Sequence, residues 1–386
     1  MSDHLLAFTR GRVSLPYDPE ALIAAWDGLR GKMARQVPEA FSRDEWAYLM
    51  TFLASDQLWG VYESVFGSRC APTEAGPRMY YPRGRVAVWL PNNVSLLGPL
   101  VMILLSLTGN KLRFKGGSRS EDLCAALLDF VEKADPASVL RTYLDTFVTR
   151  GIFDHHDPRN AEMAGEAQVR IVFGGEPAAE GVESLPHPLH SISLPFTDKR
   201  SEAWINPAAA DDAVLASLIN VFLVYGQAGC TSPSRVILLD ADAAAVEAFR
   251  TRLVEAWSRV VKQSPEPHVA SGNVMARQWA AGVGWRADLA PGGAAVIGVG
   301  DHPPIDAPLF LPLTGMSTED AFARLPGNIQ TIGYALAGPA SDDFLARMAR
   351  ARVKRFVPLS AMHHFGPVWD GYDYLLQLFE CMELQA

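Results

Sequence analysis

The stretch VYGQAGCTSPSRVIL, residues 224–238, holds the most pointed chemistry in the sequence. Cys230 stands between an apolar run that closes in Tyr-Gly-Gln and a Ser-Pro-Ser turn that opens an aliphatic run. A cysteine kept for packing sits more naturally inside one of the flanking runs. At the junction of two elements its side chain faces a cleft, where a thiolate can attack a carbonyl carbon. The residues alone leave the packing thiol and the nucleophile both open.

Three other segments carry groups that suit such a thiol. LPNNVSLLG places Asn92 and Asn93 after a strand and before a helix. Asparagine there is either a helix N-cap or an N–H donor aimed at a developing oxyanion. GNKLRFKGGSRSED ends a strand on Lys115 and follows it with Ser118 and Arg119. That is either a solvated loop or a pocket for a ribose carrying a phosphate. VFGGEPAAEG runs from strand to helix through Gly174 and Gly175, which is turn chemistry or a close approach to a pyrophosphate.

The elements that must position these groups are legible from periodicity. Residues 17–67 read as helices, beginning with the Asp-Pro start of DPEALIAAWDGLRGKM. RVAVWLP, the apolar stretch from Val94 and KLRFK then form a strand, helix and strand, which implies a parallel sheet. QVRIVFGG and HSISLPF are further strands. After Asn206-Pro207 comes a long helix, DDAVLASLINVFLVYG, followed by Cys230, RVILLDAD and alternating strands and helices. This order predicts an α/β fold divided into 1–205, 206–362 and a tail of 363–386.

Composition narrows the class. The 386 residues are 49% hydrophobic, with 34 Lys and Arg against 43 Asp and Glu, a net charge of −9. That balance is ordinary for a globular protein and argues against nucleic acid as a partner. Four cysteines in such a length make no disulfide framework, and the first 30 residues lack an apolar signal region, so a cytoplasmic location is expected. VSLLGPLVMILLSLTG is shorter than the roughly 20 residues of a membrane span and is interrupted by Gly98-Pro99. GVGDHPP lacks the third glycine of a dinucleotide fingerprint, and no Walker A or G-x-S-x-G motif occurs. Nine histidines, among them His155-His156 and His363-His364, show no zinc-ligand spacing and read as solvated or packing residues, so no metal is expected.

Taken in order, PNNVSLLG, VFGGEPA, PFTDKRS, YGQAGCTSPSRV and RVKRFVPLSAMHHFGPVWDG resemble the aldehyde dehydrogenase superfamily, and within it the acyl-CoA reductase (LuxC) branch. The resemblance spans about residues 85–372. It implies an aldehyde-dehydrogenase-like architecture, a Rossmann-type cofactor domain plus an α/β catalytic domain, with the NADP(H)-binding part in 1–205 and the thiol in 206–362. It further implies Cys230 as nucleophile, Asn93 with the Cys230 N–H as oxyanion hole, Lys115 on the adenosine ribose, and Gly174 and Gly175 at the phosphates. Departures from the superfamily pattern bear on the chemistry. The glutamate of the dehydrogenase branch falls near Pro195, the acid after the ribose lysine is replaced by Ser118, and IDAPLFLPL lacks the glutamate that meets the nicotinamide ribose. A carboxylate at Ser118 would repel a ribose 2′-phosphate, so Ser118 with Arg119 and Lys115 favours NADPH.

The expected reaction is therefore NADPH-dependent reduction of an acyl-CoA or acyl-carrier thioester to the aldehyde. The alternatives are an oxidising dehydrogenase with Glu176 or Asp198 as base, and a non-catalytic subunit of an acyl-activating synthetase. A homo-oligomer is also expected, as is a chain trimmed relative to the family in an N-terminal or oligomerisation piece.

Overall fold

The computed structural model describes residues 8–10, 13–66, 78–197 and 199–383. Cys70 and Asp198 lie outside the described residues. The chain divides into two compact units, one of Met1–Thr197 with Phe365–Ala386 and one of Asp198–His364.

The first unit opens with an antiparallel pair, β1 (Phe8–Arg10) and β2 (Val13–Leu15). Three helices follow. In α1 (Pro19–Met33) Asp18 caps the Glu20 N–H, Pro19 fills the first turn, and Leu22, Trp26, Leu29 and Met33 recur at helical spacing on the buried face. In α2 (Arg43–Phe52) Ser42 and Glu45 form a capping box. α3 (Ser55–Phe66) completes the trio, and β3 (Arg78–Pro82) comes next.

The core of the unit is β4 (Arg85–Trp89), α4 (Leu97–Ser106), β5 (Lys111–Gly116), α5 (Leu123–Ala134), α6 (Val139–Phe147), β6 (Val148–Ile152), α7 (Arg159–Glu166), β7 (Val169–Gly174), α8 (Glu176–Glu183) and β8 (Ile192–Thr197). The five strands pair in parallel in the order β6-β5-β4-β7-β8. β5 and β6 lie on one side of β4, while β7 and β8 lie on the other. The order therefore reverses at β4, and the crevice outside the carboxyl ends of β5, β4 and β7 is the switch point where such sheets bind ligands. α4 is apolar on every side because it is buried on every side, with all its residues but Leu97 in the core. No helix among the described residues is long and apolar enough to cross a membrane.

The second unit runs β9 (Arg200–Ile205), α9 (Asp212–Leu223), β10 (Pro233–Leu239), α10 (Ala243–Val260), α11 (Pro267–Gly282), β11 (Arg286–Leu289), β12 (Val296–Val299), β13 (Phe310–Met316), α12 (Thr318–Ala323), β14 (Ile329–Ala335), α13 (Asp342–Arg350) and β15 (Arg355–Pro358). Its sheet has the order β11-β12-β13-β10-β9-β14-β15, parallel except for the β11–β12 pair. Leu215, Leu218 and Phe222 of α9 pack with Phe249, Leu253 and Trp257 of α10 over Val236, Leu238 and Leu311 of the strands. Burial of that apolar face, at about 25 cal/mol per Å², is the main force holding the layers together.

The chain then returns to the first unit through β16 (Val368–Trp369), β17 (Tyr372–Asp373) and β18 (Phe379–Glu383). β18 pairs antiparallel with β3, closing a small sheet of order β1-β2-β3-β18. The unit boundaries at Thr197 and His364 thus differ from 205 and 362 as read in the sequence. Residues 200–205 form an interior strand of the second sheet, and Phe365–Ala386 groups with the first unit.

Candidate active site

In the second unit, the end of α9 sets up the thiol turn. Val224 ends the helix, and Tyr225, Gly226 and Gln227 then take φ of 52°, 60° and 67°. Three successive left-handed residues, two of them carrying side chains, are costly, at roughly 1–3 kcal/mol for each non-glycine, and persist where the surroundings over-determine them. Gln227 shows how: its Nε2 donates to the Pro233 and Phe310 carbonyl oxygens at 3.3 and 3.5 Å. A tight turn follows, with the Ser232 N–H donating to the Gly229 carbonyl at 2.9 Å. Cys230 lies in this turn, exposed, at the amino end of β10.

Side chains on both sides of the thiol lock its backbone. Ser201 of β9 donates its hydroxyl to the Cys230 carbonyl oxygen at 2.7 Å. Thr231, only 6% exposed, has its hydroxyl 2.6 Å from Nδ1 of His363. Nε2 of the same ring lies 2.7 Å from the Val221 carbonyl oxygen in the last turn of α9. Burial lowers the His363 pKa from its ordinary value, against the hydrogen bond to Val221, with Arg355 and His364 adding to the lowering. Sequence reasoning set this histidine aside as a packing or solvated residue for want of zinc-ligand spacing; its partners here lie 132 and 142 positions away.

Behind the turn both neighbours of β9 are bulged. The register between β10 and β9 shifts between Pro233 and Val236, and that between β14 and β9 between Ile329 and Thr331. At the first bulge Arg235 meets the buried Glu202 at 2.8 Å and Asp301 at 2.5 Å, while Trp204 Nε1 donates to Glu202 at 2.9 Å. Burial raises the Glu202 pKa, opposed by Arg235 and Trp204. Glu202 is spent on this clamp.

In the first unit, the residues singled out from the sequence all fall at the carboxyl edge of the parallel sheet. Lys115 lies near the end of β5, in register with Trp89 at the end of β4. It is half-buried, and burial lowers its pKa, with Asp154 opposing. Asn92 and Asn93 follow β4, and Gly174 and Gly175 end β7 and start α8. Ser118 and Arg119 are exposed in the turn after β5. Asn92 Oδ1 accepts the Arg119 N–H at 2.9 Å. A Cβ on Gly117 would come within 2.6 Å of both Asn92 Oδ1 and the Pro91 carbonyl oxygen, so the two loops touch backbone to side chain. This task of Asn92 is not legible in the sequence, because its partner lies 27 positions away.

Asn93 precedes the turn that leads into α4. The N-cap of α4 is Leu96, without a side-chain cap, and Asn93 stands three residues earlier, exposed. Among the described residues, Cys124 is a packing thiol: it is buried in α5, burial pushes its pKa up, and a Cβ on Gly98 would meet its sulfur at 2.7 Å. Pro195 is exposed in β8, and Glu176 is exposed in the first turn of α8. Among the described residues, Asp154, His155 and His156 offer metal-ligating atoms within 4.8 Å of one another, all of them exposed.

The fold is that of the aldehyde dehydrogenases. An NAD-dependent aldehyde dehydrogenase of Sinorhizobium meliloti is 13% identical, with 95% of this chain and 80% of that one covered at a TM-score of 0.64. A point mutant of the betaine aldehyde dehydrogenase of Staphylococcus aureus, in complex with NAD+, is 12% identical, with 95% and 85% covered and a TM-score of 0.64. An oxidoreductase of Marinobacter aquaeolei is 12% identical, with 94% and 84% covered and a TM-score of 0.65. A search of curated proteins finds no match. The profile of the acyl-CoA reductase (LuxC) family matches residues 21–280, and the chain belongs to that family. It is an oxidoreductase of aldehyde chemistry.

Proposed function

We propose that this chain reduces an acyl thioester, an acyl-CoA or acyl-carrier ester, to the aldehyde through an acyl-cysteine on Cys230, with NADPH as reductant. The observation that carries the reading is the exposed Cys230 in a backbone turn held by Ser201, Thr231 and Gln227. A rigid, solvent-facing thiol suits nucleophilic attack, whereas a packing thiol such as Cys124 is buried.

The Cys230 thiolate attacks the thioester carbonyl, and charge builds on the carbonyl oxygen, where the Asn93 amide and the Cys230 N–H stabilise it. The carbon–sulfur bond to the leaving thiol breaks, and an acyl-cysteine remains. When bound, the nicotinamide supplies the hydride that reduces this ester. The resulting thiohemiacetal alkoxide collapses, its carbon–sulfur bond breaking to give aldehyde and free Cys230 thiolate.

The residues at the carboxyl edge of the first unit suit a phosphorylated dinucleotide. Lys115, Arg119 and the Ser118 hydroxyl are donors, and Gly175, the N-cap of α8, puts no side chain over the first N–H groups of that helix. Lys115 would hold the adenosine ribose, Ser118 and Arg119 its 2′-phosphate, and Gly174 and Gly175 the pyrophosphate. The position of the dehydrogenase glutamate falls near Pro195, which offers nothing to activate water and so favours reduction over hydrolysis.

Following NADPH consumption and aldehyde release against a panel of acyl-CoAs tests this reading. Acyl-CoA-dependent loss of NADPH with stoichiometric aldehyde is expected, and it should vanish in Cys230→Ala. Turnover by that variant, or oxidation of aldehydes to acids as the only activity, would overturn it.

A further inference from the structure

We propose that Thr231 and His363 are positioning residues for the thiol of Cys230, acting as a hydrogen-bonded chain that fixes the turn from its carboxyl side. The inference rests on the reading of Cys230 as the nucleophile. It extends to a histidine outside the residues matched by the family profile, which end at 280.

The direction of the chain follows from donor chemistry. The Val221 carbonyl oxygen can only accept, so Nε2 of His363, 2.7 Å away, carries the proton. In the neutral ring Nδ1 is then an acceptor, and the Thr231 hydroxyl, 2.6 Å away, donates to it. Val221 stands in the last turn of α9, where carbonyl groups lack helical partners, so the imidazole also closes the helix end that leads into the left-handed run.

His363 is itself held from behind. Arg355 of β15 donates to the carbonyl oxygens of Met362 at 2.9 Å, Ala361 at 3.3 Å and His364 at 2.8 Å, and to the Thr331 hydroxyl at 3.2 Å. The segment carrying the ring is thereby pinned to β14 and β15. A continuous path runs from the sheet edge through Arg355, the 361–364 turn and His363 to Thr231, next to the nucleophile. Ser201 holds the other side through the Cys230 carbonyl.

Arg355 and His364 both bear on the ring and disfavour the imidazolium. α9 presents the Val221 carbonyl to it. Protonation at Nδ1 would turn the acceptor into a donor and force the Thr231 hydroxyl to rotate. The chain therefore holds in one direction only while the ring is neutral.

The test compares Thr231→Val, Thr231→Ser and His363→Asn with the parent protein. Aldehyde formation from acyl-CoA with NADPH is measured alongside iodoacetamide alkylation of Cys230 across pH, read by peptide mass spectrometry so that the other cysteines do not count. Thr231→Val should lower kcat about 10-fold with KM for the thioester little changed, the effect expected of a displaced nucleophile. Thr231→Ser should restore it. The alkylation profile of the parent and of Thr231→Ser should show an inflection below the ordinary imidazole range, about pH 6.5. Thr231→Val and His363→Asn should lose it, and should either variant fold poorly the other gives the same comparison. A folded Thr231→Val with parental kcat and parental profile would overturn the proposal. If Cys230→Ala keeps full turnover, the nucleophile reading fails instead, and the alkylation profiles still judge the Thr231–His363 chain.

Discussion

The Ser201 hydroxyl donates to the Cys230 carbonyl oxygen at 2.7 Å, so the turn that carries the thiol is tied to an interior strand of its own sheet. Ser201 is 1% exposed, and its carbonyl in turn accepts the Ser234 hydroxyl at 3.0 Å. Ser201→Ala removes one buried hydrogen bond and should cost about 1 kcal/mol in stability. Single-turnover acylation should slow as well. Parental acylation in a destabilised variant would reduce the tie to a structural one.

Asn93→Ala should lower the chemical step by roughly 10²- to 10³-fold, the usual cost of one oxyanion donor. A loss of stability with kcat of the soluble fraction unchanged would instead assign Asn93 to the start of the helix. Asn92→Ala should act differently. It removes the acceptor of the Arg119 N–H, so it should weaken NADPH binding more than the acyl transfer. Matched fluorescence titrations and rapid-quench measurements on the two variants separate these effects.

How much of this was legible in the sequence differs by element. The apolar strands and α4 announce themselves because β4, β7 and α4 are mostly buried and, apart from Arg85, Arg170 and Ser106, apolar. β9 did not, since Arg200, Ser201 and Glu202 look like a linker. They are polar because Ser201 serves the thiol turn and Glu202 meets Arg235 in the interior. The thiol, the asparagine pair and the loop after β5 could be singled out as candidates because each sits in a short motif. His363 could not, since its partners are brought to it only by the packing of α9 and the turn after β15.

Cofactor choice turns on the loop after β5. Ser118→Glu should move preference from NADPH toward NADH, because a carboxylate accepts a ribose 2′-hydroxyl and repels a 2′-phosphate. The ratio of kcat/KM for the two cofactors is the readout. Equal use of both by the parent protein would count against the assignment of Ser118 and Arg119.

Stability should fall on acidification through His363. Its folded pKa is lowered by burial, so the unfolded chain, titrating near 6.5, takes up the proton first. The contribution is fully present above the unfolded value and is lost as pH falls below it. Urea midpoints at about pH 7.5 and about pH 5.5 should differ more in the parent than in His363→Asn, with carboxylate titration common to both. An equal difference in both proteins would place the titrating group elsewhere.

The most direct test of the account is to offer acyl-CoA to the protein without NADPH and read its intact mass. One acyl group should add to Cys230 and persist well beyond a turnover time, since the proposed route has no carboxylate base to deliver water to it. Adding NADPH should discharge the adduct as aldehyde, and adding free coenzyme A should return acyl-CoA. Rapid release of free acid, or no adduct on a thiol that alkylates readily, would contradict the acyl-cysteine route.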